Sequence, residues 1–128
     1  DRFESRGLGD VYKRQIEHLE TLQNLTEITI SRTAVTGDIV HLKSLHNLTE
    51  IDFYSTAGIT GNIEHLESLP KLTVITMSYT GVTGNIEHLK SLPKLRYLYL
   101  EDTDVYGDED EFNEYRLIER LSLCDLHM

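Results

Sequence analysis

Four histidines, His18, His41, His65 and His88, recur every 23 or 24 residues, and imidazoles stacked at such a period could share a divalent metal ion. No thiol accompanies them, and Glu17, Glu64 and Glu87 stand beside only three, with Val40 breaking the column. The donor set is incomplete, so protonation below pH ~6.5 is the chemistry expected of them. A second candidate is the acidic run EDTDVYGDEDEFNE, 101–114, where counting from Asp102 puts Asp104 and Gly107 at calcium-loop positions. Tyr106 stands where an oxygen ligand is required and Asn113 where a bidentate glutamate belongs, so the run reads as a solvated acidic loop. Asn24-Leu25-Thr26 and Asn47-Leu48-Thr49 are N-glycosylation sequons, with Asn24 and Asn47 as acceptors, although asparagine is equally good turn chemistry there. Cys124 is the lone cysteine and can form neither an internal disulfide nor a multi-thiolate zinc site. No nucleophile elbow, phosphate loop, dinucleotide fingerprint or HExxH occurs, and the His, Ser and Asp residues fall at no triad spacing. The chain is expected not to be an enzyme: no catalytic residue, metal or cofactor is assigned.

The scaffold that positions these residues is bounded by composition. The 128 residues are 39% hydrophobic, enough for one domain with a continuous core, and no apolar run approaches the roughly 20 residues that span a bilayer. A formal charge of −10 disfavours nucleic acid and anionic membranes, since both require a basic face that displaces counterions. The expected partner is a cationic or neutral protein or peptide, with no nucleic acid and no membrane contact by this segment.

Written from each isoleucine, the chain falls into repeats 16–38 (IEHLETLQNLTEITISRTAVTGD), 39–62 (IVHLKSLHNLTEIDFYSTAGITGN), 63–85 (IEHLESLPKLTVITMSYTGVTGN) and 86–108 (IEHLKSLPKLRYLYLEDTDVYGD). Ala57-Gly58 carries the additional residue of the second unit, in a turn where an insertion costs little and glycine tolerates an unusual backbone angle. Residues 109–128 are expected to continue the register as a partial unit, with Phe112, Tyr115, Ile118, Leu121 and Leu123 at its apolar positions. From Ile86 through Leu89, Leu92 and Leu95 the apolar step is three, which suits 3₁₀-like turns with one buried edge. From Leu98 to Leu100 it is two, the mark of a short strand, and Val105 and Gly107 carry that step into a second extended segment. A four-helix bundle is excluded, because Gly and Thr recur in every unit and no stripe of period 3.6 survives one. Burying one unit's inward residues does not offset the ordering of its backbone, so units must stack as a solenoid.

The segments LTEITISRT, LTEIDFYST, LTVITMSYT and LRYLYLEDT resemble the LxxLxLxxN strand segment of the leucine-rich-repeat family, with Thr33, Thr56, Thr80 and Thr103 in the asparagine position. The V-T-G-N-I continuation resembles the plant-type subclass, which implies a second sheet; threonine for asparagine and the missing proline after the isoleucine depart from that pattern. The resemblance implies a mostly β solenoid of α/β class, about 4.5 repeats, with short parallel strands on the concave face and 3₁₀ or helical turns on the convex one. The threonines are assigned a buried hydroxyl column satisfying backbone groups between adjacent units. Residues between the strand leucines then face the concave side, which places Glu27, Thr29, Ser31 and Arg32 in the first row and Glu50, Asp52, Tyr54 and Ser55 in the second. Val74, Thr76, Ser78 and Tyr79 make the third, and Tyr97, Tyr99, Glu101 and Asp102 the fourth. The tyrosines are expected to form a near-contiguous aromatic patch flanked by carboxylates, suited to a protein or peptide ligand. The implied function is a binding module within a larger receptor-like or adaptor protein, extracellular or at the cell surface; the alternative is a cytosolic structural scaffold with no signalling role.

Residues 1–15, DRFESRGLGDVYKRQ, match no repeat, and Ser5 to Gln15 resembles a translated transposase sequencing adaptor. This segment is expected to be non-native, with the leucine-rich-repeat domain covering 16–128. Without it, eight basic residues face nineteen acidic ones. A stack uncapped at Ile16 and stopping inside a unit at Met128 is expected to expose apolar edges and to self-associate end to end.

Overall fold

The alternation of leucine and polar residues in each L-x-x-L-x-L segment turns successive side chains to opposite faces of an extended backbone. In the computed structural model, which describes residues 1–4 and 15–128, these segments are three-residue strands. Strands β1 (Arg2–Glu4), β2 (Glu27–Thr29), β4 (Glu50–Asp52), β6 (Val74–Thr76), β8 (Tyr97–Tyr99) and β10 (Asp125–His127) form one parallel six-stranded sheet in that order. Strands β3 (Gly37–Asp38), β5 (Ile59–Asn62), β7 (Gly81–Asn85) and β9 (Asp104–Tyr106) form a second, parallel four-stranded sheet, the additional sheet implied by the V-T-G-N-I pattern. In register, Ile28, Ile51, Ile75 and Leu98 point inward as one wholly buried rung. The step of three becomes a 3₁₀ turn in each unit, at Ile16–Leu19, Ile39–Leu42, Ile63–Leu66 and Ile86–Leu89. No helix among the described residues is long and apolar enough to cross a membrane.

Two columns lock one unit to the next. Asp38, Asn62 and Asn85 cap the 3₁₀ turns that follow them, each accepting the amide two residues on, at 2.8, 2.9 and 2.9 Å. Gly61 and Gly84 lie directly over the Asp38 and Asn62 caps of the preceding unit, at φ of 110° and 112°; a Cβ there would collide with the capping oxygen. Both the backbone angle and the close approach therefore demand glycine. Gly58 differs from its expected role: its φ is not positive, and it is glycine because a Cβ would meet Val35 O at 2.9 Å.

The threonine column is corrected by the structure. Thr33, Thr80 and Thr103 donate to Ile30, Met77 and Leu100 carbonyls within their own units, at 2.8, 2.7 and 2.7 Å. Only Thr56 reaches the neighbouring unit, donating to Ile30 O at 2.9 Å. A hydroxyl has one proton to donate, whereas an asparagine amide has two, so Thr33, Thr80 and Thr103 each close a turn of their own unit instead of bridging rows. The bridging hydroxyls sit elsewhere: Thr49 and Thr73, at the entry of each strand, donate to Thr26 O and Thr49 O, both at 3.0 Å, alongside their own amides.

Residues 109–128 also depart from the repeat register. Glu109–Ile118 is an α-helix, α1, begun by the Asp108 side chain accepting from Glu111 N and by acidic residues in its first turn. It buries Phe112 but leaves Ile118 and Leu123 67% and 84% exposed, and the inward residue opposite Leu98 is Leu126, not Leu121. The buried partner of Phe112 is Arg116. Its guanidinium donates to the carbonyls of Lys90, Leu92, Leu95 and Ser122 at 2.7–3.2 Å and to Ser122 Oγ at 3.0 Å. Burial holds its pKa below the usual guanidinium value. The fourth unit's Leu92, Leu95, Leu98 and Leu100 are consequently at most 2% exposed, while Leu126 and Met128 of the next row are partly buried. At the other end Ile16, Leu19, Leu25 and Val35 are also buried, with β1 laid against β2 and Phe3 opposite Ile28.

Candidate functional site

Outward-facing residues of the six-stranded sheet form three columns across the rows. Glu27, Glu50, Val74, Tyr97 and Asp125 are in register in the first, and Thr29, Asp52, Thr76, Tyr99 and His127 in the second. Ser31, Tyr54, Ser78 and Glu101 follow at the strand ends. The fourth residue of each expected row stands apart: Arg32, Ser55, Tyr79 and Asp102 have φ of 55°, 56°, 60° and 51°, a left-handed turn that follows each of β2, β4, β6 and β8. L residues are strained there by roughly 1–2 kcal/mol, and the turn carries these side chains onto the rim of the face.

The turn sets the aromatic geometry. Tyr79, 44% exposed, meets Tyr54 edge-on with ring centroids 5.5 Å apart, and the Arg32 guanidinium lies 5.5 Å from the Tyr54 centroid. Tyr97 and Tyr99 lie 6.3 Å apart on one strand, and Tyr99 packs edge-on against His127 at 4.8 Å. The tyrosines thus gather in two clusters, one at the rim and one at the C-terminal end, instead of one continuous patch. Between them Glu101 accepts the Ser78 hydroxyl at 2.9 Å. The Tyr99 hydroxyl donates to Asp125 at 3.3 Å. The Asp102 carboxylate, then Tyr54, pushes the Tyr79 pKa up; burial, then Asp125, does the same for Tyr99. Both phenols stay neutral at physiological pH and offer ring faces and O–H donors.

The carboxylates divide by partner. Glu27 is paired with Arg2, and Asp52 accepts the Tyr54 amide at 3.0 Å. Glu50 is exposed and carries no side-chain hydrogen bond or ion pair among the described residues. Thr29 and Thr76 are half-buried on the floor of the face.

The histidine column pairs with glutamates across units: His41 Nδ1 lies 2.9 Å from Glu20, and His88 lies 3.5 and 3.9 Å from Glu67 and Glu64. Among the described residues no group of three or more His, Cys, Asp and Glu side chains could hold a metal ion. Of the sequon asparagines, Asn24 is exposed, whereas Asn47 donates to Gln23 O at 3.0 Å and accepts from Lys71 at 2.9 Å. Glycosylation at Asn47 would leave its Nδ2 one hydrogen for the bond to Gln23. Reading the sequence missed Arg116 and the left-handed rim. Asp108 followed by three acidic residues signalled the helix; nothing signalled the rim, whose occupants are chemically unrelated.

No family model and no curated protein matches the chain. Among solved structures it is similar to the leucine-rich-repeat ectodomain of the receptor kinase SOBIR1 from Arabidopsis thaliana, at 24% identity and a TM-score of 0.65, over 82% of this chain and 57% of that one. It is also similar to a chain of the BIR3–SERK2 complex from Arabidopsis thaliana, at 20% identity and a TM-score of 0.59, over 83% of this chain and 53% of that one. The chain spans little more than half the length of these structures. At such identities the likeness establishes the architecture: the fold is a mostly β leucine-rich-repeat solenoid.

Proposed function

We propose that this solenoid is a protein- or peptide-binding module that engages its ligand on the concave sheet face, as part of a larger receptor-like protein at the cell surface or outside the cell. The observation that carries the reading is the contrast between the two faces of one sheet. Inward positions repeat as Ile28, Ile51, Ile75 and Leu98, while their outward neighbours run Glu27, Glu50, Val74 and Tyr97. Solvent-facing positions are free to vary in any repeat, so the diversity alone decides nothing; what favours recognition is that they vary toward exposed aromatic side chains and carboxylates, with Tyr79 44% and Tyr97 45% exposed. Exposed tyrosines beside an unpaired carboxylate supply contact area, polar tips and charge, the ingredients of a recognition surface. The similarity to plant receptor-kinase ectodomains supports the receptor-like setting, and the exposed Asn24 sequon supports passage through the secretory pathway.

Photo-crosslinking residues placed at Thr29 or Thr76 on the concave face, and at Lys43 or Ser91 on the convex turns, test this in the cell of origin. Discrete adducts from the concave positions alone are expected; equal adducts from both faces, or from the convex face only, would remove the reading. Secretion with a glycosidase-sensitive mass shift lost in Asn24→Gln is the expected sign of an extracellular address, and cytosolic retention favours the scaffold alternative.

A further inference from the structure

The third row of the concave face is low and its neighbours are tall. Val74 and Thr76 on β6 and Ser78 just past its end follow one another with short side chains, Ser78 being fully buried and the other two half-buried. On one side stand Glu50, Asp52 and Tyr54; on the other stand Tyr97, Tyr99 and Glu101. Rows of a parallel sheet are roughly 4.8 Å apart, so the walls lie about 10 Å apart, the width of one extended peptide strand with its side chains. A depression of about 500 Å³ opens at the start of this trough, with Glu50, Val74 and Tyr97 among its lining and Lys94 and Arg96 at its outer end.

We propose that this trough binds an extended, cationic peptide segment lying along β6, with alternate Lys or Arg side chains set between the tyrosines and the wall carboxylates. The inference rests on the concave-face reading and names its ligand class. Charge is the argument for the occupant. Lys94 and Arg96 share the entrance depression with Glu50, and Arg32 lies 5.5 Å from the Tyr54 ring centroid. The wall residues themselves carry the charges of Glu50, Asp52 and Glu101, all negative and with no cation in an ion pair with any of them among the described residues. Tyr97 is 45% exposed, and cations are attracted to an accessible aromatic ring face at contact distance. Extended peptides place alternate side chains on one side at about 6.6 Å intervals, the same spacing that separates Glu50 from Asp52 and Tyr97 from Tyr99 along the walls. An anionic segment would meet three carboxylates, and an apolar one would dehydrate them without supplying a counter-charge.

The test uses the full chain and two capped heptapeptides, one alternating serine and lysine, the other serine and glutamate, followed by amide chemical shifts and by fluorescence anisotropy at low and moderate salt. The lysine peptide is expected to bind, to shift the amides of Val74, Thr76, Tyr97 and Tyr99, and to weaken with salt. Thr76→Arg, which fills the trough with a cation, should reduce affinity at least tenfold, and paired Glu50→Gln and Asp52→Asn several-fold without altering shape. Glu114→Gln, on the outer side of α1, should leave affinity unchanged. Amide dispersion confirms that each variant is folded. Equal or preferential binding of the glutamate peptide in the trough overturns the cation preference and leaves concave-face binding standing. Lysine-peptide shifts centred on 104–114 or on the convex turns, or no binding of either peptide at millimolar concentration, overturn the trough assignment. Crosslinking from Thr76 reports on concave-face recognition independently of peptide charge.

Discussion

The stacked repeats and the C-terminal unit finish the same job with different chemistry. In the stack, Ser44 and Ser68 donate their hydroxyls back to the carbonyls of Glu20 and Lys43 in the preceding unit, at 3.5 and 3.2 Å. At the equivalent Lys90 the donor is Arg116, reaching from α1 at 3.0 Å and holding the Leu92 and Leu95 carbonyls as well. A periodic stack spreads its polar satisfaction over many weak, equivalent bonds, whereas its last unit concentrates it in one buried cation. That cation pairs with carbonyl dipoles instead of a carboxylate. Such an arrangement survives burial only when nearly every N–H is used, as it is here.

The contrast predicts where the molecule breaks most easily. Arg116→Met keeps the apolar stem and removes every donor, leaving carbonyls of Lys90, Leu92, Leu95 and Ser122 short of partners. The expected loss is about 3–5 kcal/mol, with hydrogen exchange of 109–128 rising far more than that of 39–85. Uniform exchange across both regions would show that the terminal unit is not separately held. Within the stack the comparable weak point is a glycine. Gly84→Ala places a methyl against the Asn62 cap at φ of 112°, at an expected cost of about 2–4 kcal/mol. Its exchange effects should centre on the 62–86 interface and leave α1 largely intact.

Cys124 supplies a probe of the terminal unit alone. Burial pushes its thiol from 9.0 to about 11, with the nearby Arg116 charge opposing the rise. The fold therefore favours the neutral thiol: that contribution is whole below pH 9 and is lost as pH climbs from 9 to 11. Alkylation of the native chain should keep accelerating up to about pH 11, while the unfolded chain levels off near 9. A native profile that levels off near 9 would mean that α1 and β10 do not shield the thiol.

What the amino-acid sequence made legible follows the same division. Units 16–108 announced their strands and 3₁₀ turns because each inward position is repeated by its neighbours, and Ile28, Ile51, Ile75 and Leu98 fall where the steps of two and three put them. Residues 109–128 did so only at their start: counting in the repeat period put Phe112 in the core, where it is buried, but assigned Leu121 to the inward place opposite Leu98 that Leu126 takes, and Leu123 to a core that leaves it 84% exposed. A single buried cation has no period. On the concave face, alternation identified the outward residues of each strand. It could not show that the left-handed turn lifts Tyr79 toward Tyr54 while Tyr99 packs against His127 with Tyr97 beside it.

The smallest expected effects separate two threonines that look equivalent in sequence. Thr80 donates to the Met77 carbonyl at 2.7 Å and is 7% exposed; valine at that position leaves the carbonyl without its hydroxyl, at a cost of about 1–2 kcal/mol. Thr56 is wholly buried and bridges units, yet the Ile30 carbonyl it meets at 2.9 Å also accepts from Thr33 at 2.8 Å. Thr56→Val should therefore cost under about 1 kcal/mol, and adding Thr33→Val should cost more than the two singles summed, because only then does Ile30 lose both donors. Urea midpoints of the two singles and the double variant measure this directly. If Thr56→Val alone proves as costly as Thr80→Val, the bridging bond is stronger than the shared acceptor implies, and the stack depends on individual contacts as the terminal unit depends on Arg116.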